Sequence, residues 1–345
     1  MQAIRRIAGG LRRRVTAALA QRARRRATRL LHGPDRVALP DTGVMAVLLV
    51  RNGAWFVPRF LDHHLALGVD HILVIDNGST DGTVDLCRRD RVTVLENTLP
   101  VRRHESALRS ELAQRVAQGG WILFADSDEL VELPLPGPDA LARLTGWCNR
   151  HGYTAVLGQM LDRFSDRPYA ALRDLTYDQA IAALDLYAVE GVETIPYAAR
   201  DRVEFAWFLR QNRCDDPAVA FKTGGLRREL FGENPFLSKH SLVRNVPGVV
   251  PMVHPHAASG VSVADVTLLL HHYKLAGDWV ARDRKQVEAA TWVHGEDARR
   301  IAAVGNGDFR LTPAQPLPWR GIAALREEGF LYASPDFLRE TGQSG

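Results

Sequence analysis

The 345 residues are 46% hydrophobic and 24% charged, a globular balance that excludes a disordered tail, a collagen-like fibre and a disulfide-stapled mini-protein. The net charge of +4 divides unevenly: residues 1–36 hold eleven Arg and one acid, Asp35, for +10, while the remainder holds 33 basic and 39 acidic residues for −6. Basic charge confined to a short arm argues against nucleic acid as a partner. Three scattered cysteines (Cys87, Cys148, Cys214) argue against a disulfide framework or a structural zinc site and fit free thiols in a reducing cytosol.

Residues 3–32 contain no Pro, and Ile4, Ile7, Leu11, Val15, Ala18, Leu19, Leu30 and Leu31 recur at roughly helical spacing with Arg between them. The pattern predicts a basic amphipathic helix or extension over 1–36. Its two readings are docking on an anionic membrane face, at about 1 kcal/mol per basic residue, and a solvated arm. The Arg clusters interrupt any secretory h-region. The longest apolar run nearby, Val44–Val50, is far short of the ~20 residues a span needs. Together these place the chain in the cytoplasm, or peripherally on the cytoplasmic face of a membrane. Residues 33–43 (GPDRVALPDTG) read as a linker, with 37–43 joining arm to body.

The body then alternates. Val44–Val50 predicts a buried strand, Trp55–Leu67 a helix, HILVI at 71–75 a strand, DNGSTDGT at 76–83 a polar turn, and Val84–Asp90 a helix. Val92–Leu95 predicts a strand, His104–Gln118 a helix, and WILFA at 121–125 a strand running into Asp126-Ser127-Asp128-Glu129. Such βαβ units imply an α/β fold with a mostly parallel, helix-flanked sheet, whose ligand lies at the carboxyl ends of the strands. Farther on, Ala155–Leu161, Leu226–Phe231, Ser241–Asn245 and Val266–His272 read as strands, Asp278–Ala290 and Gly295–Val304 as helices, and the end as a peripheral tail. The resulting organisation is 1–36 arm, 37–43 linker, 44–290 catalytic domain and 291–345 C-terminal helix and tail.

Asp76 and Asp126 both fall at strand ends. Two carboxylates two residues apart, Asp126 and Asp128, can share one divalent cation, and hard oxygen ligands suit Mg²⁺ or Mn²⁺. A lone DxD is as easily loop solvation. A strand–DNGSTDGT–helix followed some forty residues later by strand–DxDE is more specific.

The segments Arg51-Asn52-Gly53, His63–His71, VIDNGSTDGT and FADSDEL resemble family 2 glycosyltransferases of GT-A fold, closest to the "family 2-like" branch related to family 92. The looser segments Gly224–Arg228, Ser238–Arg244 and Leu269–Lys274 extend the resemblance over roughly 45–285. It implies a UDP- or GDP-sugar donor, Mn²⁺ or Mg²⁺, and inverting transfer of a sugar to a glycan, lipid-linked or protein acceptor, in the manner of a hexosyltransferase in polysaccharide biosynthesis. By family role, Asp76 holds base or ribose with Asn52 beside it, and Arg109 approaches the diphosphate. Asp126 meets ribose or metal, Asp128 the metal, and His272 (or His271) completes the metal or diphosphate site. Lys239 and Lys274, two of only four Lys, would meet phosphate. Inversion also needs a carboxylate base. No acid–acid–Arg or Glu-Asp motif follows the DxD, so the candidates are Asp162 and Glu233, with Asp201 behind them. The family's usual Lys-Asn-Glu start is Arg51-Asn52-Gly53 here.

The paired histidines (63/64, 254/256, 271/272) lack the spacing of a zinc site, and Trp55, Trp207, Trp279 and Trp292 fit core packing as well as sugar stacking, Trp207 being the best acceptor-side aromatic. Two other functions compete: a nucleotidyltransferase, which would need a Gly-rich basic loop at 51–55, and a non-catalytic glycan- or membrane-binding module, against which the intact Asp126/Asp128 pair argues.

Overall fold

The computed structural model describes Thr16 and residues 18–289, 295–305 and 307–343. Ile4, Ile7, Leu11, Val15 and Trp292 lie outside these. Nine strands form the central sheet: β1 (Thr28–His32), β2 (Val44–Val50), β3 (His71–Asp76), β4 (Val92–Asn97), β5 (Trp121–Phe124), β6 (Glu129–Glu132), β7 (Ala155–Asp162), β8 (Ser238–Arg244) and β9 (Val263–His272), in the order β1-β4-β3-β2-β5-β8-β7-β9-β6. Strands β2, β3, β4, β5, β7 and β9 run one way, and β1, β6 and β8 oppose them. The sheet is therefore mostly parallel, as expected.

Apolar residues on both faces of the inner strands account for the burial. Val44, Ala46 and Leu48 pack beneath α1 (Val57–Ala66), through Phe60 and Leu61, and beneath the later helix Ala140–Arg150, through Leu144 and Trp147. Met45 and Val47 face the opposite layer, which contains Leu108, Leu112 and Val116 of the helix Val101–Val116. A strand buried on both sides has to be apolar at every position, which is why Val44–Val50 shows no alternation.

Several expectations are corrected. Residues 18–26 are helical, but the arm does not stay helical to 36. Thr28–His32 is an edge strand, antiparallel to β4, where Arg29 meets Glu96 at 3.0 Å and Asn97 Nδ2 donates to Thr28 Oγ1 at 2.8 Å. The unpaired N–H and C=O groups along the open edge of β4 template this segment as an added strand. The linker likewise contributes Val37–Ala38, paired with Ala117–Gln118. The helix expected at Val84–Asp90 is one turn, α2 (Thr83–Leu86); Val101–Val116 is α3 and Ala140–Arg150 is α4.

Leu226–Phe231 is a helix, α5, not a strand. Gly225 (φ 68°) precedes it and Gly232 (φ 65°) closes it, so positive-φ glycines bracket one short helix whose buried residues, Leu226 and Phe231, were misread as strand-like. Two further helices follow, α6 (Trp279–Glu288) and α7 (Glu296–Val304). The chain's last stretch is not peripheral: Phe330 and Leu331 are buried, and Phe337 of α8 (Pro335–Glu340) enters the main core, edge-on to Trp147 at 4.9 Å. Among the described residues no helix is long and apolar enough to cross a membrane.

Candidate active site

The site is built at the carboxyl ends of β2, β3, β5, β7 and β9. After β2 the chain turns through Asn52, whose φ of 53° is left-handed. That turn is laced to the one after β3. Asn52 N–H donates to Ser79 Oγ (2.8 Å), Thr80 N–H to Asn52 Oδ1 (2.8 Å), Gly53 N–H to Thr83 Oγ1 (2.8 Å) and Ala54 N–H to Asp81 Oδ2 (3.0 Å). Asp76, buried at the end of β3, turns its carboxylate onto the amides of Gly78 (3.0 Å) and Ser79 (3.1 Å). The DNGSTDGT segment thus uses its acids and hydroxyls first on its own backbone, and the two loops form one rigid wall.

Beyond β5, Asp126 stands between two cations. Arg109 Nη1 donates to Oδ1 at 2.7 Å, and Lys239 Nζ lies 3.4 Å from Oδ2. Burial pushes the Asp126 carboxyl up, but Lys239 and Arg109 hold it well below the usual carboxylate range. Arg109 itself is buried on α3 and also bonds Ala125 O (3.2 Å), so its guanidinium is spent on Asp126 and the end of β5. Lys239, on β8, contacts the buried Glu129, whose other bond is to the Asp126 amide at 2.8 Å. Its ammonium is therefore shared by Glu129 and Asp126, partners that the expected phosphate role did not include.

Asp128 and His272 meet. His272 Nε2 lies 3.7 Å from Asp128 Oδ2, and its Nδ1 is bonded to Asp162 Oδ1 at 2.6 Å. Strand pairing sets this contact: His272 is opposite Glu129 on β6 and level with Asp162 on β7. His271 points the other way, to Glu132 at 2.6 Å. A ring that gives Nδ1–H to a carboxylate presents Nε2 as a ligand, so Asp126, Asp128 and His272 have the donor chemistry for a divalent cation. Among the described residues no three acidic, His or Cys side chains lie at ligand spacing, and Asp126 is engaged by Arg109 and Lys239.

Both candidate bases have other work. Asp162 is buried, accepting from Arg227 Nε at both oxygens (3.1 and 3.0 Å) and from His272. Burial raises its pKa, but Arg227 and His272 bring it far below the ordinary value. Glu233 is fully internal, bonded to Arg227 (3.2 Å) and Arg300 (2.7 Å), and burial shifts it upward against those pairs. Asp201 is exposed on the turn Tyr197–Arg202.

Lys274 is half-buried and electrostatically linked to Asp297. Beside it is a cation the motifs did not flag, Arg282. It stacks over Trp55 (5.1 Å) and Phe56 (5.2 Å), donates to Lys274 O and Ala276 O, and feels Asp128. Its only sequence signal is placement in the first turn of a helix following the His-His-Tyr-Lys segment. His254 and His256 stack on Phe205, and Trp207 is 69% exposed with Arg210 4.1 Å over its ring. A cavity of 370 Å³ beside Ala66, Leu135, Ile322 and Arg326 contains none of the DxD residues.

Loops at the carboxyl ends of a parallel sheet, with a DxD pair and an imidazole, define a GT-A type nucleotide-sugar transferase scaffold. Residues 46–227, more than half of the chain, match the family described as "Glycosyl transferase family 2". The chain belongs to glycosyl transferase family 2. No curated protein matches it. Among solved structures it is similar to mannosyl-3-phosphoglycerate synthase from Rubrobacter xylanophilus, at 24% identity over 35% of this chain and 40% of that one, TM-score 0.24. It is also similar to glucosyl-3-phosphoglycerate synthase from Mycobacterium tuberculosis in complex with Mn²⁺, UDP and glucosyl-3-phosphoglycerate, at 19% identity over 39% of this chain and 52% of that one, TM-score 0.24. The chain thus spans about half or less of the length of these structures.

Proposed function

We propose that this protein is a metal-dependent, inverting hexosyltransferase of the branch related to family 92, moving a sugar from a UDP- or GDP-sugar to a glycan, lipid-linked or protein acceptor. The observation that carries the reading is the meeting of Asp128 and His272 at 3.7 Å, two residues on from Asp126, at the same carboxyl edge of the sheet that bears the laced Asn52 and Asp76 loops. Asp126, Asp128 and His272 would hold Mn²⁺ or Mg²⁺, which when bound offsets charge on the departing diphosphate. The protein's own contribution is positional. The laced loops orient the nucleotide, Arg109 and Lys239 keep Asp126 ionised, Arg282 adds positive charge felt by Asp128, and Lys274 supplies a further cation for phosphate. Trp207 offers an exposed ring for the acceptor.

The basic arm serves as address, holding the enzyme peripherally against an anionic cytoplasmic membrane face. The test of the catalytic reading is a screen of UDP- and GDP-sugars for nucleoside diphosphate release with Mn²⁺, with EDTA, and in Asp128→Ala. Release that depends on metal and falls at least a hundredfold in the variant is expected; an unchanged rate in Asp128→Ala would sink it.

A further inference from the structure

Behind His272 lies a line of buried charge that the donor site does not itself explain. His272 Nδ1 meets Asp162 at 2.6 Å. Arg227 Nε spans both Asp162 oxygens, while its Nη1 reaches Glu233 at 3.2 Å. Glu233 takes Arg300 Nη1 at 2.7 Å, and Arg300 ends on Asp283 (2.7 Å) and Asp297. Side-chain exposures of Asp162, Arg227, Glu233, Arg300 and Asp283 run from 0 to 7%. Five charges this deep are costly to desolvate, and an apolar substitute would often be as stable. What such a line supplies is direction, because each guanidinium is a planar fork fixed at both ends.

We propose that Arg227 and Arg300 are positioning residues for the cation site. Acting through Glu233 and Asp162, they hold the His272 ring with Nδ1–H on Asp162 and Nε2 toward Asp128. Arg300 and its partners Asp283 and Asp297 sit on α6 and α7, beyond residues 46–227, so these two helices are a working part of the donor site. This inference rests on the metal-dependent reading above.

The test uses the full chain labelled with ¹⁵N-histidine, as wild type, Asp162→Asn, Glu233→Gln, Arg300→Lys, and Arg339→Ala as a surface control. His272 resonances are assigned by His272→Gln. Metal-free wild type is expected to show the Nδ1–H tautomer for His272, and the three relay variants a mixture. Mn²⁺ titrations followed by electron paramagnetic resonance are expected to weaken about tenfold or more in Asp162→Asn, in the range of second-sphere changes at other metal sites, and severalfold in Arg300→Lys. Arg339→Ala should match wild type. If Arg300→Lys does not fold, Glu233→Gln carries the comparison. Folded variants with unchanged His272 resonances and Mn²⁺ affinity within twofold would overturn the proposal, as would an Nε2–H tautomer in wild type. A wild type that binds no Mn²⁺, with or without UDP, would instead overturn the metal-dependent reading, while the metal-free spectra still decide the relay.

Discussion

Lys239→Met separates two roles for this lysine. The side chains of Lys239 and Glu129 are 4% and 1% exposed, and Glu129 keeps only the Asp126 amide once the ammonium is gone. Breaking a buried pair by removing one partner costs about 3–5 kcal/mol, most of it the stranded charge. Burial already raises the Glu129 pKa against the pull of Lys239. Without that cation it rises further, so Glu129 escapes by taking a proton. Because the folded-state pKa then lies above the unfolded one, the deficit is larger at pH 8 than at pH 5.5. Glu129→Gln in the same chain removes the stranded charge, and the double variant should recover roughly half of the loss. Urea unfolding of the four proteins of this cycle at both pH values gives the numbers. A single variant that loses less than about 1 kcal/mol yet raises the donor KM tenfold would show that Lys239 reaches phosphate and that the buried pair is not what holds it.

His64 should make stability fall on acidification. Its ring is fully buried, with Nδ1 bonded to Phe60 O at 2.8 Å, and burial, aided by neighbouring His63, lowers its pKa to about 3. The unfolded chain, near 6.5, binds this proton first, so stability is complete above pH 6.5 and is lost toward pH 3, at up to about 1.4 kcal/mol per unit. His64→Leu should flatten that slope in pH-dependent unfolding, and an unaltered slope would refute the assignment. For the arm, removal of residues 1–15 is expected to spare nucleoside diphosphate release and weaken binding to anionic liposomes in a sedimentation assay. Equal binding by the shortened chain would reject the address role.

Much of the scaffold was legible because its signals are local. Apolar runs at 44–50, 71–75 and 121–124, short and bounded by polar turns, read as strands buried on both faces and are so, and the turns after them mark where a ligand would go. Asp126 and Asp128 were singled out by their position after such a strand, and His272, the last residue of β9, by the family resemblance. What sequence did not convey is which charges face one another. Asp162, Glu233 and Lys239 were each read as available chemistry, because a one-dimensional string does not reveal that Arg227, Arg300 and Glu129 already occupy them. Thr28–His32 was missed for a related reason: the reward for extending it is the open edge of β4, more than sixty residues away.

The ladder between β6 and β9 gives the site a reading frame. His272 faces Asp128 because it is opposite Glu129, and His271 takes the other face, where it bonds Glu132. A slip of one residue turns every side chain of a strand over, and here it would exchange one imidazole for its neighbour while leaving the local composition almost intact. Single-residue insertions or deletions along Val263–His272 therefore threaten this site far more than conservative substitutions there, because they rewrite which nitrogen looks at Asp128.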